Sequence, residues 1–256
     1  MLLRDPFDGW LAAAEQRYLA DLTRPELGRA LRALGETYVR RRDTLADGKA
    51  LEGRGKRAAF ALYYAPLHFL TVRAIARALH EPGRRIQPGR TPRPVLDIGC
   101  GTGAAGAAWA LETGARVSGI DVSAWAVDEA SWTYATLGVQ GRARRGGLEG
   151  LTLPSTPATL LAAFVVNELP ATARAQALER LTAAARDGHA VVIIEPIARA
   201  LTPWWREWER ALQPFGGLTE EWRIKADLPP LLRDLDKSAG LTHRELTARS
   251  LTTFRA

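Results

Sequence analysis

Two kinds of hydrophobic pattern divide the chain near residue 90. In the first part, Leu27, Leu31 and Leu34 recur at helical spacing, and a second apolar helical pattern runs through YYAPLHFLTVRAIARAL, where Pro66 should start or kink the helix. The following stretch, EPGRRIQPGRTPRP, is rich in residues that sustain neither a helix nor a central strand. We therefore predict a helical cap or docking segment over residues 1–90 and a second domain over residues 91–256.

Short apolar runs alternate with longer helical patterns from Pro94 onward. PVLDI is a predicted strand, AAGAAWALETG is a predicted helix that ends at Gly114, and ARVSGID is the next predicted strand. Further strands are predicted over residues 158–166, 190–195 and 243–254. This alternation predicts an α/β fold with a doubly wound, mostly parallel sheet, in which a ligand binds beyond the carboxyl ends of the strands.

The first predicted strand leads into a glycine-rich loop, DIGCGTGAAG, which contains G-x-G-x-x-G at Gly101, Gly103 and Gly106. That pattern is typical of dinucleotide sites, but here Asp97 precedes the glycines. A carboxylate at this position would repel a diphosphate, so Asp97 argues against NAD. S-adenosylmethionine has no phosphate and carries a sulfonium and an ammonium, which a carboxylate can stabilise. The alternative interpretation is an ordinary strand–turn–helix junction.

Asp121 lies about 20 residues beyond the glycines, at the end of the second predicted strand, where an acidic side chain can accept hydrogen bonds from ribose hydroxyls. Both candidate cofactors contain that ribose, so Asp121 indicates a nucleoside without choosing between them. Its alternative role is a helix cap, because DVSAWAVDEA begins a predicted helix.

The stretch VLDIGCGTG followed by SGID resembles the first two motifs of class I S-adenosylmethionine-dependent methyltransferases, over roughly Pro94 to the C-terminus. The resemblance implies a Rossmann-like fold, S-adenosylmethionine as cofactor, and a third strand near Gln140 to Arg145. In that family an acidic residue often follows this strand, whereas here RGGLEG offers Gly147, Leu148 and Glu149. The residues assigned to the cofactor are Asp97, Gly99, Cys100, Gly101, Gly103, Asp121, Val122 and Leu148.

A narrower resemblance lies in N-E-L-P after the fourth predicted strand, an arginine soon after it, and E-P at the end of the fifth. These features, and the helical segment before them, are similar to the methyltransferase-like family associated with small ribosomal subunit assembly. Mitochondrial members carry a cysteine cluster, which the single Cys100 excludes here, so the resemblance is to the bacterial type. It implies RNA or ribosomal material as methyl acceptor. A small-molecule acceptor and a non-catalytic assembly factor are the alternatives.

Methyl transfer is an in-line displacement, so an enzyme contributes mainly by aligning the acceptor and, if needed, by accepting its proton. Asn167 and Glu168 follow the fourth predicted strand and are the predicted catalytic residues, Asn167 orienting the acceptor and Glu168 acting as a base or binding a cationic substrate. The alternative is that both cap the next helix. Glu195, at the end of the fifth predicted strand, has the same two interpretations.

Aromatic residues supply the remaining substrate-binding candidates. Trp204 begins a tryptophan-rich helical pattern and could stack on a planar substrate, while Tyr63, Tyr64 and His68 could close over the cofactor. Core packing is the alternative for all four. The four histidines of the chain show no metal-binding spacing, and we predict no metal.

Composition adds a charge asymmetry. The 256-residue chain has a net charge of +7, and residues 1–94 hold 18 Lys and Arg against 10 Asp and Glu. A basic segment beside a neutral one suggests attraction to RNA; the alternative is a solvated arginine-rich surface. One cysteine, no signal-peptide pattern and no apolar run of about 20 residues lead us to expect a cytoplasmic protein without a membrane partner. The sequence leaves the oligomeric state open.

Overall fold

A computed structural model of the chain describes residues 5–40, 51–81 and 92–254. Its α-helices are α1 (Pro6–Leu19), α2 (Arg24–Arg40), α3 (Arg54–Ala59), α4 (Ala65–Leu79), α5 (Ala104–Thr113), α6 (Ala124–Thr136), α7 (Ala171–Arg186), α8 (Trp205–Leu212) and α9 (Pro230–Ser238). Its strands are β1 (Val95–Ile98), β2 (Val117–Asp121), β3 (Gly141–Arg145), β4 (Thr159–Ala163), β5 (Ala190–Glu195), β6 (Gly217–Lys225) and β7 (Glu245–Thr253).

Within the described residues these strands form one seven-stranded sheet in the order β3-β2-β1-β4-β5-β7-β6. Strands β1 to β5 are parallel, and β7 runs antiparallel to both β5 and β6. The strand order reverses between β1 and β4, so a crevice opens there at the carboxyl edge of the sheet. The predicted doubly wound, Rossmann-like α/β fold is confirmed.

The edge strand β6 is the one strand of this sheet that the sequence analysis does not predict. Trp222 and Ile224 are half-buried and alternate with the exposed Glu221, Arg223 and Lys225. Charged residues of this kind on an edge strand discourage pairing with another chain. The strand forms because β7, the C-terminal strand, covers its inner side along all nine residues.

Helices cover both faces of the sheet. One hydrophobic cluster joins the N-terminal helices, α5 and the sheet, and includes Phe69, Val72, Ile75, Val117 and Val192. A second cluster on the other face packs α7 and α8 against alternate residues of the same strands. The N-terminal helices therefore share a core with the sheet. The predicted boundary between residues 90 and 91 falls outside the described residues, and the division into two domains stays a prediction.

A π-helical segment, Phe60–Tyr64, connects α3 and α4 into one continuous helix. Pro66 has no N–H, so it cannot donate to the carbonyl four residues before it. The helix widens just ahead of it, and the N–H of Ala65 bonds the carbonyl of Phe60, five residues back. Pro66 thus lies in the first turn of α4, as predicted.

The helix spanning residues 54–79 is long and apolar enough to cross a membrane by length and composition. However, 67% of its most apolar window is buried inside the protein. Core helices of globular proteins have the same character.

Candidate cofactor and acceptor site

A cleft at the carboxyl ends of β1, β2 and β4 contains most of the residues predicted to bind the cofactor. Those that line it are Gly99, Cys100, Gly101, Asp121, Val122 and Leu148. We call the part formed by Asp121, Val122 and Leu148 the nucleoside end. Thr102, Ser123 and Gly146 also line the cleft, although the sequence analysis does not single them out.

The glycine loop between β1 and α5 has a backbone that requires glycine. Gly99, Gly101 and Gly103 have φ angles of 64°, 51° and 78°, in the left-handed region that favours glycine. A Cβ on Gly103 would lie 2.8 Å from Tyr134 and 2.9 Å from the backbone of Ala130, so this glycine packs against α6 and does not line the cleft. The loop lets the N-terminus of α5 approach the cleft, which Ala104 and Ala105 line.

Asp121 faces the cleft and holds the loop at the same time. One carboxylate oxygen accepts a 2.9 Å hydrogen bond from Gly101 N–H, and the other accepts a 2.9 Å bond from Ser123 N–H. Each oxygen has further acceptor capacity, which is what two ribose hydroxyls require. Burial raises the pKa of this carboxyl group. Ser123 is the N-cap of α6, and its hydroxyl accepts a hydrogen bond from Ala126 N–H. The helix-cap role considered for Asp121 is therefore filled by Ser123.

Asp97 lies behind the glycine loop, not at its mouth. Side chains alternate along a strand, so Asp97 shares with Val95 the face of β1 that packs against α5. It is 1% exposed, one oxygen accepts a 3.0 Å bond from Gly106 N–H, and the other has no hydrogen-bond partner within the described part of the chain. Burial raises the pKa of the Asp97 carboxyl group to about 7.

The position of Asp97 explains why residue 106 is a glycine. A Cβ on Gly106 would lie 2.5 Å from the Asp97 carboxylate and 2.9 Å from Val117. The N-cap residue of α5 makes no side-chain hydrogen bond to the helix. Instead, the carboxyl group of Asp97 on β1 accepts a hydrogen bond from Gly106 N–H in the first turn of α5. Asp97 therefore acts on the cleft through the loop and the helix terminus, not by direct contact.

Asn167 and Glu195 bind each other. The backbone N–H of Asn167 donates to Glu195 at 3.1 Å, and its side-chain amide donates to the other carboxylate oxygen. Glu195 is fully buried at the end of β5. Neither side chain is among those that line the cleft, and the half-buried Asn167 and buried Glu195 form a polar pair that fixes the loop after β4; the predicted acceptor contact of Asn167 and substrate contact of Glu195 stay predictions. Glu168, the next residue, does line the cleft.

Another part of the cleft wall is aromatic. Phe60, His68 and Phe164 line it, and we call this part the aromatic recess. His68 stacks on Phe164 with ring centroids 4.0 Å apart and 14° between the planes, and Phe60 meets His68 edge-on at 6.1 Å. Burial lowers the pKa of His68 to about 4, so its imidazole is neutral at physiological pH. Only His68 is anticipated from the sequence. Phe60 and Phe164 have no motif signal, although Phe164 directly follows β4 at the point where strand order reverses.

The other predicted aromatic contacts lie elsewhere. Tyr63 is buried and donates its hydroxyl hydrogen bond to Asp236, whose carboxylate also contacts the His243 ring at 2.6 Å. Tyr64 packs edge-on against Tyr63 and does not line the cleft. Trp204 is 7% exposed and packs against two neighbouring tryptophans of α8. The substrate contacts predicted for these three residues are therefore corrected to packing roles.

Comparison with known proteins adds one sequence match. A family model described as "Methyltransferase domain" matches residues 95–188. The matched segment runs from β1 through α7 and contains the glycine loop, Asp121 and the loop after β4. The match covers less than half of the chain and does not extend to the N-terminal helices. No curated protein matches the sequence.

Several solved methyltransferases are similar to this chain at low sequence identity. Magnesium protoporphyrin IX methyltransferase from Synechocystis PCC 6803, solved with bound S-adenosylmethionine, is 19% identical, with 74% of this chain and 80% of that one covered and a TM-score of 0.47. The methyltransferase domain of bacterial CtHen1 is 13% identical over 74% of this chain and 100% of that one, with a TM-score of 0.49. The plantazolicin methyltransferase BpumL, in complex with S-adenosylhomocysteine, is 12% identical over 95% and 100%, with a TM-score of 0.46. Likenesses this distant assign no substrate.

Proposed function

We propose that this protein is an S-adenosylmethionine-dependent methyltransferase. The observation that carries the proposal is the cleft itself: a loop with three left-handed glycines and Asp121 lie together at the switch point of a sheet with the order β3-β2-β1-β4-β5-β7-β6. The methyltransferase domain match over residues 95–188 supports the same conclusion.

The residues present fit this cofactor. Asp121 offers two carboxylate oxygens to a ribose, while Val122 and Leu148 offer apolar contact to a flat base. The unpartnered buried oxygen of Asp97 favours a cation near the loop over the diphosphate of a dinucleotide. When bound, S-adenosylmethionine supplies an electrophilic methyl group. The protein orients the acceptor toward it, and Glu168 lies on the cleft wall where it can accept a proton.

Calorimetric titration tests the cofactor assignment. S-adenosylmethionine and S-adenosylhomocysteine are expected to bind, and NAD is not. Asp97→Ala is expected to weaken S-adenosylmethionine binding greatly, because it removes the carboxyl group that accepts from Gly106 N–H and supports the first turn of α5 behind the loop. Binding of NAD with exclusion of S-adenosylmethionine would overturn the proposal. Formation of S-adenosylhomocysteine with acceptor pools from the source cell separates an enzyme from a non-catalytic assembly factor, which would bind the cofactor without turnover.

An RNA or ribosomal acceptor is supported by the surplus of positive charge in residues 1–94. Several of these arginines are already engaged: Arg17 pairs with Glu129 and Arg77 with Glu112, both across to the sheet domain, and Arg73 pairs with Asp5. RNA affinity that does not fall as salt is added would count against this acceptor.

A further inference from the structure

Two unusual backbone features converge on the aromatic recess. Phe164 has a φ of 59° and is the only non-glycine residue in the described ranges with a positive φ. Phe60 begins the π-helical segment. Strained residues and π-helical turns both cost stability and are concentrated at functional sites. The positive φ of Phe164 and the π-helical turn at Phe60 lie at the same wall of the cleft. This wall is therefore a candidate functional site, because both features lower the stability of the fold.

The recess presents flat apolar surface with one polar group. Its walls are the rings of Phe60 and Phe164, together with the imidazole of His68. The imidazole of His68 makes no hydrogen bond to any residue that the structure describes, and His68 is half-buried where it lines the cleft. A neutral imidazole has one nitrogen that accepts and one that donates a hydrogen bond. A ligand that entered the recess would therefore meet aromatic faces and an unused hydrogen-bonding group.

The charged groups near this wall are few. Glu168 and Asp121 are the two acidic residues among the described residues that line the cleft, and Asp121 lies at the nucleoside end. No Lys or Arg lines the cleft within the described residues. An anionic acceptor would find no cation to pair with, so the recess suits an uncharged group.

We propose that the aromatic recess is the methyl-acceptor subsite, and that it takes an uncharged planar ring carrying an N–H or O–H group that donates a hydrogen bond to His68. The assignment of the recess as the acceptor subsite rests on the proposed methyltransferase function, because the recess and the nucleoside end are two parts of one cleft. Such a ring has two sources, a nucleobase and a small aromatic metabolite. The shared chemistry is a flat face with one donor at its edge.

Three small probes separate shape from hydrogen bonding. Phenol is planar with a donor, anisole is planar without one, and cyclohexanol has a donor on a ring that is not planar. Each is titrated calorimetrically into the full chain, with and without saturating S-adenosylhomocysteine, while the imidazole nitrogens of ¹⁵N-histidine-labelled protein are followed by NMR. We expect phenol to bind at least about fivefold more tightly than either analogue and to shift the His68 signals, since one net hydrogen bond contributes about 1 kcal/mol.

Variants assign the effect to His68. His68→Phe keeps a ring to stack on Phe164 and removes both nitrogens, so phenol affinity should fall to that of anisole while anisole affinity stays the same. His68→Gln keeps a hydrogen-bond acceptor without the ring and should weaken both. His80→Phe is the matched control: it makes the same change on the same helix, about 18 Å further along its axis, and should leave all three affinities unchanged.

Each outcome decides the proposal. Cyclohexanol binding as tightly as phenol, or a phenol-to-anisole ratio unchanged in His68→Phe, would overturn it. Adenosine and uridine, titrated into the protein saturated with S-adenosylhomocysteine, distinguish a nucleobase from a small aromatic metabolite. Failure of S-adenosylhomocysteine to bind would refute the proposed function separately, because the titrations without it still decide whether the recess binds the ring.

Discussion

At the nucleoside end of the cleft, the groups that line the wall are Asp121, Val122 and Leu148, which end or follow neighbouring strands, and Asp121 holds the adjacent glycine loop through its backbone amides. In the aromatic recess they are side chains from residues 60, 68 and 164, brought together by packing between a helix and the end of a strand. The first end depends on local backbone conformation, and the second depends on long-range contacts. Substitutions should therefore act on the two ends in different ways.

The largest effect is expected at the glycine loop. Gly103→Ala introduces a Cβ 2.9 Å from the backbone of Ala130 at a φ of 78°, so strain and overpacking combine to cost about 4 kcal/mol of unfolding free energy. Urea unfolding followed by circular dichroism measures it. Gly9→Ala is the control, because its Cβ would have nothing within 4 Å and it lies within α1, where alanine should stabilise by up to about 1 kcal/mol. Equal effects at the two positions would show that the loop is not under this constraint.

The second effect comes from the buried charge beneath that loop. The pKa of Asp97 is raised to about 7 in the folded protein from an ordinary value of 3.8, so ionisation is less favourable folded than unfolded. The resulting cost is absent below pH 4, grows as the pH rises toward 7, and is constant above it. Relative to Asp97→Asn, which keeps an oxygen for Gly106 N–H, the wild-type protein without cofactor should lose roughly 3 kcal/mol of stability between pH 4.5 and pH 8.

Unfolding free energies of the two proteins at both pH values test this linkage. Asp128→Asn changes an exposed carboxylate of α6 and should show little pH-dependent difference from the wild type. A stability difference between wild type and Asp97→Asn that is the same at both pH values would mean that Asp97 is ionised as easily in the folded protein as in water.

Asp121 should matter more for the cofactor than for the fold. In Asp121→Asn, one oxygen is replaced by an amide that cannot accept from Gly101 or Ser123, and a ribose hydroxyl loses a charged acceptor. We expect S-adenosylmethionine affinity to fall about 10- to 100-fold, since hydrogen bonds to charged groups contribute about 1.5–3 kcal/mol. Calorimetry measures the change, with Asp128→Asn again as the control. Unchanged affinity would place the ribose elsewhere in the cleft.

The same contrast explains what the sequence allows one to predict. Strands β1, β2, β4 and β5 and the glycine loop are encoded by apolar runs and turn residues close together in the chain, whereas β3, GRARR, has no apolar run and is predicted only from the family resemblance. Cofactor assignments to Gly99, Gly101 and Asp121 follow from that local pattern, and all three line the cleft. Strand β6 lacks a strong signal because its partly buried face depends on pairing with β7.

The direction of a side chain at a strand end is harder to predict. Asp97 is correctly placed on β1, but its face is decided by where α5 packs. Asn167 and Glu195 are correctly placed at the ends of adjacent strands, and only the structure shows that they bind each other. The ring that stacks on His68 belongs to Phe164, 96 positions away in the chain. No sequence pattern predicts the positive φ of Phe164. Each of these outcomes depends on long-range packing.

The smallest effect tests the strain in the aromatic recess directly. Phe164→Ala and Phe164→Gly both remove the ring that stacks on His68, but glycine adopts a φ of 59° without the penalty that alanine meets. The glycine variant should therefore be the more stable of the two by about 1 kcal/mol. At Glu179, an exposed residue within α7, the order should be reversed, with alanine more stable than glycine by about 1 kcal/mol. If alanine is the better residue at both positions, the backbone at Phe164 is not strained, and the recess is held by side-chain packing alone.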